Sequence, residues 1–428
     1  MTAETRDRQL RSLFLTAIES ASAEHRLADH LPTPPAGRTV VIGAGKAAAD
    51  MARAVETHWP GDLSGAVVTP YKHGLACEKI VIIEAAHPIP DQAGLESARH
   101  MLDLVAGLTA DDLVLALISG GGSALLALPA AGLTLAHKQG VTRDLLRSGA
   151  PIGSINTIRK HLSAIKGGRL AQAAHPARIV TLVISDVPGD DPATVASGPT
   201  VPDPTYCTDA IDILAEYGIM VPASILAHLK TVDTETPKPG DPAFARDHVA
   251  VIARARDALD AAADAARSNG WTVDDLGDAI EGEARDVAQS HGNQALALAR
   301  ETGALARGTG APPCLLLSGG ETSVTLTGSG GSGGRNTEYL LALGLALDGH
   351  PDIWAIACDT DGLDGNSAAA GAILRPDSLD RARSLGLNPR QMLDEHRSAT
   401  LFAALGDLVH TAPTRTNVND FRAILIDT

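Results

Sequence analysis

Apolar and polar positions follow two periods along this chain. From Arg38, short runs of Val, Ile and Leu end in glycine, proline or aspartate: TVVIGAG, GAVVTP, KIVIIEAAHPIPD, DLVLALISGGGS and RIVTLVISDVPGD. Such runs predict buried strands. Between them, apolar positions three and four apart predict helices over 46–58, 91–106, 134–146 and 156–174. A second series follows: VAVIA, a helix near 256–268, WTVDDLG, a helix near 282–302, then CLLLSGGETSVTLTG, GSGGSGGRNTEYLLALGLAL, DIWAIACDTDGLDG and FRAILI. The polar, proline-containing stretch 231–243, TVDTETPKPGDPA, reads as an interdomain linker. Strand–helix alternation builds a parallel sheet covered on both faces. The expected fold is therefore α/β, a doubly wound, mainly parallel sheet over 1–235 and a second α/β domain over 236–428.

At 428 residues the chain is long enough for two or three cores. Its formal charge of -16 argues against nucleic acid and anionic membrane as partners. Any anion must then be held locally, so the few basic residues become informative, and lysine does not recur after Lys238. No run approaches the roughly 18 apolar residues of a membrane span. The opening MTAETRDRQLRSLF is a charged amphipathic helix start, so a cytoplasmic protein is expected. Cys77, Cys207, Cys314 and Cys358 are far apart and predict buried thiols rather than a metal or disulfide framework.

Ligands in a doubly wound sheet collect beyond the C-terminal strand ends, where the glycine- and aspartate-rich loops fall. VVIGAGKAAADMA, residues 40–52, carries G-x-G-x-x-A from Gly43 and Gly45, the turn that seats a dinucleotide pyrophosphate. The acid that would bind the ribose is missing: the second strand ends in Thr69, Pro70, Tyr71, Lys72 and His73. Lys46 inside the turn adds positive charge to a helix start, which suits a phosphate or carboxylate. The alternative is a glycine turn that only lets helix and strand pack. Ser119, Gly120, Gly121, Gly122 and Ser123 bring bare N–H groups and two hydroxyls together as a nest for an oxyanion, or form a tight turn. Arg159, Lys166 and Arg169 share one helical stripe, an anion-facing or a solvated face. Asp186 and Asp190 at a strand end suit magnesium or deprotonation of a hydroxyl, or cap a turn.

In the second series Gly319, Gly320 and Glu321 close one glycine loop of a hairpin-like segment. Gly333 and Gly334 close the other, with Arg335 and Asn336 opening a helix. Arginine there can bridge polyphosphate oxygens. Asp359, Asp361 and Asp364 alternate with glycine like the start of a calcium loop, without its helices and terminal glutamate. A magnesium–nucleotide site and a structural loop remain open.

Together VIGAGKAA, HPIPD, SGGGSALL, RKHLSAIKGGRLA, ISDVPGDD, ASGPTVPDPT, SGGETSVT, GGRNTEYLL, DTDGLDG and NDF resemble the MOFRL-type glycerate kinases over nearly the whole chain. The resemblance implies a Rossmann-like larger domain, a second domain with a substrate cleft between the two, and ATP-dependent phosphorylation of D-glycerate to 2-phosphoglycerate with a divalent cation such as Mg2+. It places Lys46 and Arg335 at the reacting centre. Asp186 is the further catalytic candidate, and Asp186 with Asp190 the metal candidates. A monomer or homodimer is expected. The other readings are an NAD(P)H-dependent hydroxypyruvate reductase, which GAGKAA invites, and a non-catalytic small-molecule sensor.

Overall fold

The computed structural model describes residues 3–309, 312–326 and 330–427. The chain folds as two compact units, one of Ser22–Ala253 and one in which Met1–Ala21 joins Arg254–Thr428. The first holds a six-stranded sheet of β1 (Thr39–Ala44), β2 (Ser64–Pro70), β3 (Ile80–Ala85), β4 (Leu113–Ser119), β5 (Arg178–Ile184) and β6 (His248–Ala253). Its order is β3-β2-β1-β4-β5-β6, and every pair is parallel. All six positions of β1 and all seven of β4 are buried, as continuous apolar strands in a two-sided parallel sheet must be. Ile42, Val68, Met101, Val114, Leu125 and Leu170 belong to one core cluster. Helices Gln92–Val105 and Leu135–Arg147 start where Asp91 accepts from the Gly94 N–H at 3.0 Å and Thr134 from His137 at 3.2 Å. The strand order reverses between β1 and β4, so the GAGK and SGGGS turns lie side by side at the switch point.

Two expectations change here. The helix expected over 156–174 is two helices, Ile152–His161 and Arg169–Ala174, broken at Gly167 and Gly168, whose φ of 60° and 83° is left-handed. Arg159, Lys166 and Arg169 therefore share no helical stripe. Residues 231–243 do not leave the first unit either. Glu235 accepts from the Cys207 N–H at 3.0 Å, Thr236 donates to Asp203 at 3.1 Å, and Lys238 pairs with Glu235 at 2.8 Å. A polar segment looks like a linker in sequence, but its side chains satisfy a half-buried network. VAVIA then adds β6 to the first sheet, and the chain leaves that unit at Ala253, not at 235.

The second unit is built on β7 (Thr272–Asp275), β8 (Gly282–Glu283), β9 (Cys314–Ser318), β10 (Thr322–Ser323), β11 (Ile353–Asp359), β12 (Gly371–Leu374), β13 (Leu408–Val409) and β14 (Asp420–Ile426). A six-stranded sheet runs β13-β12-β11-β14-β9-β7, antiparallel except for β7 with β9. The hairpin-like pairing expected after CLLLS is absent among the described residues: β10 pairs in parallel with β8. Residues 327–329 of the second glycine loop lie outside the described residues. Helix Arg335–Leu347 is buried along most of its length, with Tyr339, Leu340, Leu341 and Leu343 fully so, and packs into the core with Leu316 and Ile424. Cys207, Cys314 and Cys358 are buried, and Cys77 is half-buried. No helix among the described residues is long and apolar enough to cross a membrane.

Candidate functional site

The turn after β1 is locked to the turn after β4. Gly43 still lies within β1, where a Cβ would stand 2.4 Å from the Leu117 carbonyl oxygen. Gly45 has φ +139°, and a Cβ there would lie 2.1 Å from Ser119 Oγ. The Gly45 N–H donates to the Val68 carbonyl at 3.1 Å and the Lys46 N–H to that of Gly120 at 2.8 Å. The Ala47 N–H donates to Ser119 Oγ at 3.0 Å. The backbone donors that a dinucleotide pyrophosphate would need are thus taken by the protein. Ser119 is fully buried and belongs to this lock rather than to a ligand-facing surface. Lys46 is half-buried. A Cβ on Gly121 would meet His87 Nε2 at 3.1 Å and Lys46 Cγ at 3.4 Å, so the bare glycine leaves room between these two side chains.

On the other side of the same loop runs a polar network. Lys166, 1% exposed, donates to the Ser123 carbonyl at 2.8 Å and reaches Ser123 Oγ and the Ala196 carbonyl at 3.4 Å. Ser123 Oγ bonds Ser197 Oγ at 2.8 Å, Ser197 donates to Asn156 Oδ1 at 3.4 Å, and Arg159 donates to the same oxygen at 3.4 Å. Ala196 and Ser197 are both left-handed, at φ 53° and 60°, an uncommon conformation for residues with a Cβ. Lys138 lies nearby, donating to the Ala127 and Leu128 carbonyls at 3.3 Å. Burial pushes its pKa down to about 7, and the charges of Arg159 and Arg169 push the same way. Burial likewise drives Lys166 well below its ordinary value, with Lys138 and Arg159 adding to it. Lys166 thus meets Ser123 directly and Arg159 joins the same network through Asn156 and Ser197, whereas Arg169 turns to the carbonyls of Lys160 and Thr234. Lys138, Asn156 and Ser197 escaped the sequence reading, and the scarcity of lysine was the one trace of the first.

Asp186 and Asp190, both half-buried, follow β5, with Asp190 left-handed at φ 55°. They gather no third His, Cys, Asp or Glu among the described residues. The set that does gather, His161, Cys207 and Glu235, already has Lys238 on Glu235 at 2.8 Å.

In the second unit Arg335 is enclosed by acids. Nε donates to Asp420 at 2.7 Å, one terminal nitrogen to Glu321 at 3.0 Å and the other to Asp359 at 2.8 Å. Burial works to lower its pKa, but the charges of Asp420, Asp359 and Glu321 outweigh that and raise it well above its ordinary value. The start of helix Arg335–Leu347 is not an open anion site, because Asp364 occupies it. Asp364 accepts from the N–H groups of Asn336 and Thr337, both at 2.9 Å, and from the Thr337 hydroxyl at 2.8 Å. A Cβ on Gly334 would stand 2.4 Å from Asp364 Oδ1. Asn336 itself donates to Asp420 at 2.7 Å. Asp361 receives the Leu363 N–H at 2.8 Å, the bond of a structural turn. Gly320, at φ +104°, lets the chain pass Ile280, whose backbone nitrogen a Cβ would approach to 2.2 Å, and the Gly319 N–H donates to Gly277 at 2.9 Å. Gly333, Gly334, Arg335 and Asn366 border a cavity of about 430 Å³, as do Glu338 and His396. Glu338 is 2% exposed and accepts from Arg285 at 2.7 Å and His396 at 3.0 Å. Glu338 sits inside GGRNTE, and only its place in that motif could have marked it.

With this geometry described, relatives can be set beside it. A family model described as a domain of unknown function, DUF4147, matches residues 9–230, and the MOFRL family model matches 314–420. The D-glycerate 2-kinase of Thermotoga maritima is 36% identical over 94% of this chain and 94% of its own. The crystal structure of a glycerate kinase from Thermotoga maritima superposes with a TM-score of 0.87 at 34% identity, covering 99% of this chain and 100% of the other. An Agrobacterium vitis protein that carries the provisional name hydroxypyruvate reductase is 52% identical over 97% of this chain and 94% of its own. The chain belongs to the MOFRL family of glycerate kinases, and its enzyme class is that of a kinase.

Proposed function

We propose that this enzyme transfers the γ-phosphoryl group of ATP to the 2-hydroxyl of D-glycerate. The observation that carries the reading is the closed GAGK turn. Its N–H groups are bonded within the protein, and β2 ends in Thr69 and Pro70 where a nicotinamide enzyme would present an acid. The turn also places the Lys46 side chain beside Gly121. Phosphoryl transfer needs alignment of the acceptor hydroxyl and neutralisation of phosphate charge rather than covalent chemistry from the protein. Lys46 supplies positive charge for this, whereas the charge of Arg335 is already matched by Asp420, Asp359 and Glu321. Ser123, Arg159 and Lys166 hold the acceptor's carboxylate. The acids around Arg335 and the Asp364 cap disfavour placing an unneutralised triphosphate on GGRN alone. Asp186 and Asp190 offer hard oxygen ligands at a strand end, the kind Mg2+ takes alongside phosphate oxygens, and the ion would neutralise charge on the nucleotide.

The reductase reading draws on the relative at 52% identity and on the strand order of the first sheet, which dinucleotide folds share. The experiment that tests the kinase and its regiochemistry is product detection through enolase with no phosphoglycerate mutase. Signal without mutase supports 2-phosphoglycerate, and signal only after mutase is added overturns the 2-hydroxyl assignment.

A further inference from the structure

Lys138, Lys166 and Arg159 are a group of basic side chains in the first unit for which the described residues provide no acid. Lys138 is 9% exposed and Lys166 1%, and every bond they make goes to a carbonyl or hydroxyl oxygen. Arg159 bonds the amide oxygen of Asn156. Among the described residues none of the three has a carboxylate within an ion pair's reach. The same unit neutralises its other enclosed lysines, Lys160 with Asp203 at 3.3 Å and Lys238 with Glu235 at 2.8 Å. An isolated buried cation carries a large desolvation cost, and neighbouring like charges add to it. Such a cluster is relieved by loss of a lysine proton or by an anion from outside the chain, and the anion restores the charge. Arg159 and Ser123 are its half-buried members, so the approach is from their side.

We propose that Lys138 completes, behind Arg159, Lys166 and Ser123, a recognition site for the carboxylate of a three-carbon hydroxy or keto acid. The naming of a three-carbon acid rests on the functional reading above; the anion site does not. A planar guanidinium and a hydroxyl at the accessible side suit a single carboxylate. Lys138 is a positioning residue whose charge acts through the cluster. The groups facing it are Arg159 on helix Ile152–His161, Lys166 in the break, Arg169 on the next helix, and the Ala127 and Leu128 carbonyls; no acid is among them. Because the empty site already depresses its pKa to about 7, an arriving carboxylate raises that pKa and takes up a proton. Binding is then strongest below neutrality and weakens as pH rises.

Calorimetric titration of the full-length protein with D-glycerate, hydroxypyruvate and inorganic phosphate tests this at pH 6 and pH 8.5, in buffers of different ionisation enthalpy. The wild type should bind both acids about tenfold more weakly at pH 8.5, with Lys138 taking up more proton there than at pH 6, where it is already mostly protonated. Lys138→Met should bind about tenfold more weakly at pH 6 and keep only the part of the pH dependence that Lys166 contributes. Lys138→Arg should restore tight binding with less proton uptake than the wild type, which a purely structural lysine would not predict. Wild-type affinity and proton uptake in folded Lys138→Met, or an unchanged pH dependence in Lys138→Arg, would overturn the proposal. Inorganic phosphate binding more tightly than either acid would overturn the carboxylate assignment. D-glycerate binding with proton uptake but without phosphorylation would sink the kinase reading and leave the site standing. Phosphorylation with an unchanged KM for glycerate in Lys138→Met would do the reverse.

Discussion

Asp364→Ala isolates the force that holds the helix Arg335–Leu347 in place. The carboxylate is fully buried, and it receives two backbone N–H groups and one hydroxyl at 2.8–2.9 Å. Removing it leaves two backbone donors at the helix start orphaned in a buried place, at about 1–3 kcal/mol each. Burial pushes the Asp364 pKa up against the pull of Asn336 and Thr337, so the native carboxylate already carries a desolvation cost. The net loss therefore belongs at the lower end of the sum, about 3 kcal/mol. For a unit of about 200 residues, 1 kcal/mol corresponds to about 2–4 °C, so the transition should fall by about 6–12 °C. Asp364→Asn keeps one acceptor and should fall between. Differential scanning calorimetry of the full chain reads both. An Asp364→Ala transition within 2 °C of wild type would refute the cap, and with it the reason for denying GGRN a phosphate on its helix start.

Lys46→Ala should lower kcat by about 10²-fold or more in steady-state assays. A raised KM at constant kcat would reduce Lys46 to ground-state binding. Gly45→Ala should abolish the soluble fold or cost several kcal/mol in chemical denaturation, since the new Cβ lies 2.1 Å from Ser119 Oγ at φ +139°. A near-wild-type midpoint would mean that the two turns are not locked. His291, bonded to the Tyr339 hydroxyl at 2.9 Å, has its pKa pushed down to about 4, by burial first and by the Arg422 charge second. The unfolded chain then takes up this proton before the folded one does. Stability is intact above about pH 6.5 and lost progressively towards pH 4, by up to about 3 kcal/mol. His291→Gln should show a flatter pH profile in urea midpoints, and an unchanged slope would refute the assignment.

The strands and the switch point were legible in the sequence because β1, β4 and β5 are unbroken apolar runs ending in glycine or aspartate. Long-range pairing was not legible. VAVIA has the same apolar run whichever sheet it joins, and only the hydrogen bonds of Glu235, Thr236 and Lys238 show that the preceding polar stretch stays in the first unit. The Gly167–Gly168 break in the expected 156–174 helix was visible as two glycines, yet helical periodicity continues across it. At the site, sequence marked the GAGK and SGGGS turns separately and credited the GAGK backbone with N–H groups that Val68, Gly120 and Ser119 occupy. Asp364 and Asp420 lie 28 and 84 positions beyond Asn336, to which both bond, and no local pattern announces such partners. Lys138 sits in a stretch that reads as a polar helix, and only tertiary packing buries it.

The most direct measurement of the central claim is a pair of assays on one preparation of the full chain. ATP with D-glycerate is followed by product phosphate ester, and NADH or NADPH with hydroxypyruvate by absorbance at fixed enzyme. Phosphorylation that disappears in Lys46→Ala, beside negligible nicotinamide oxidation, is the predicted result. Substantial nicotinamide oxidation without ATP, and no phosphorylated glycerate, would contradict it.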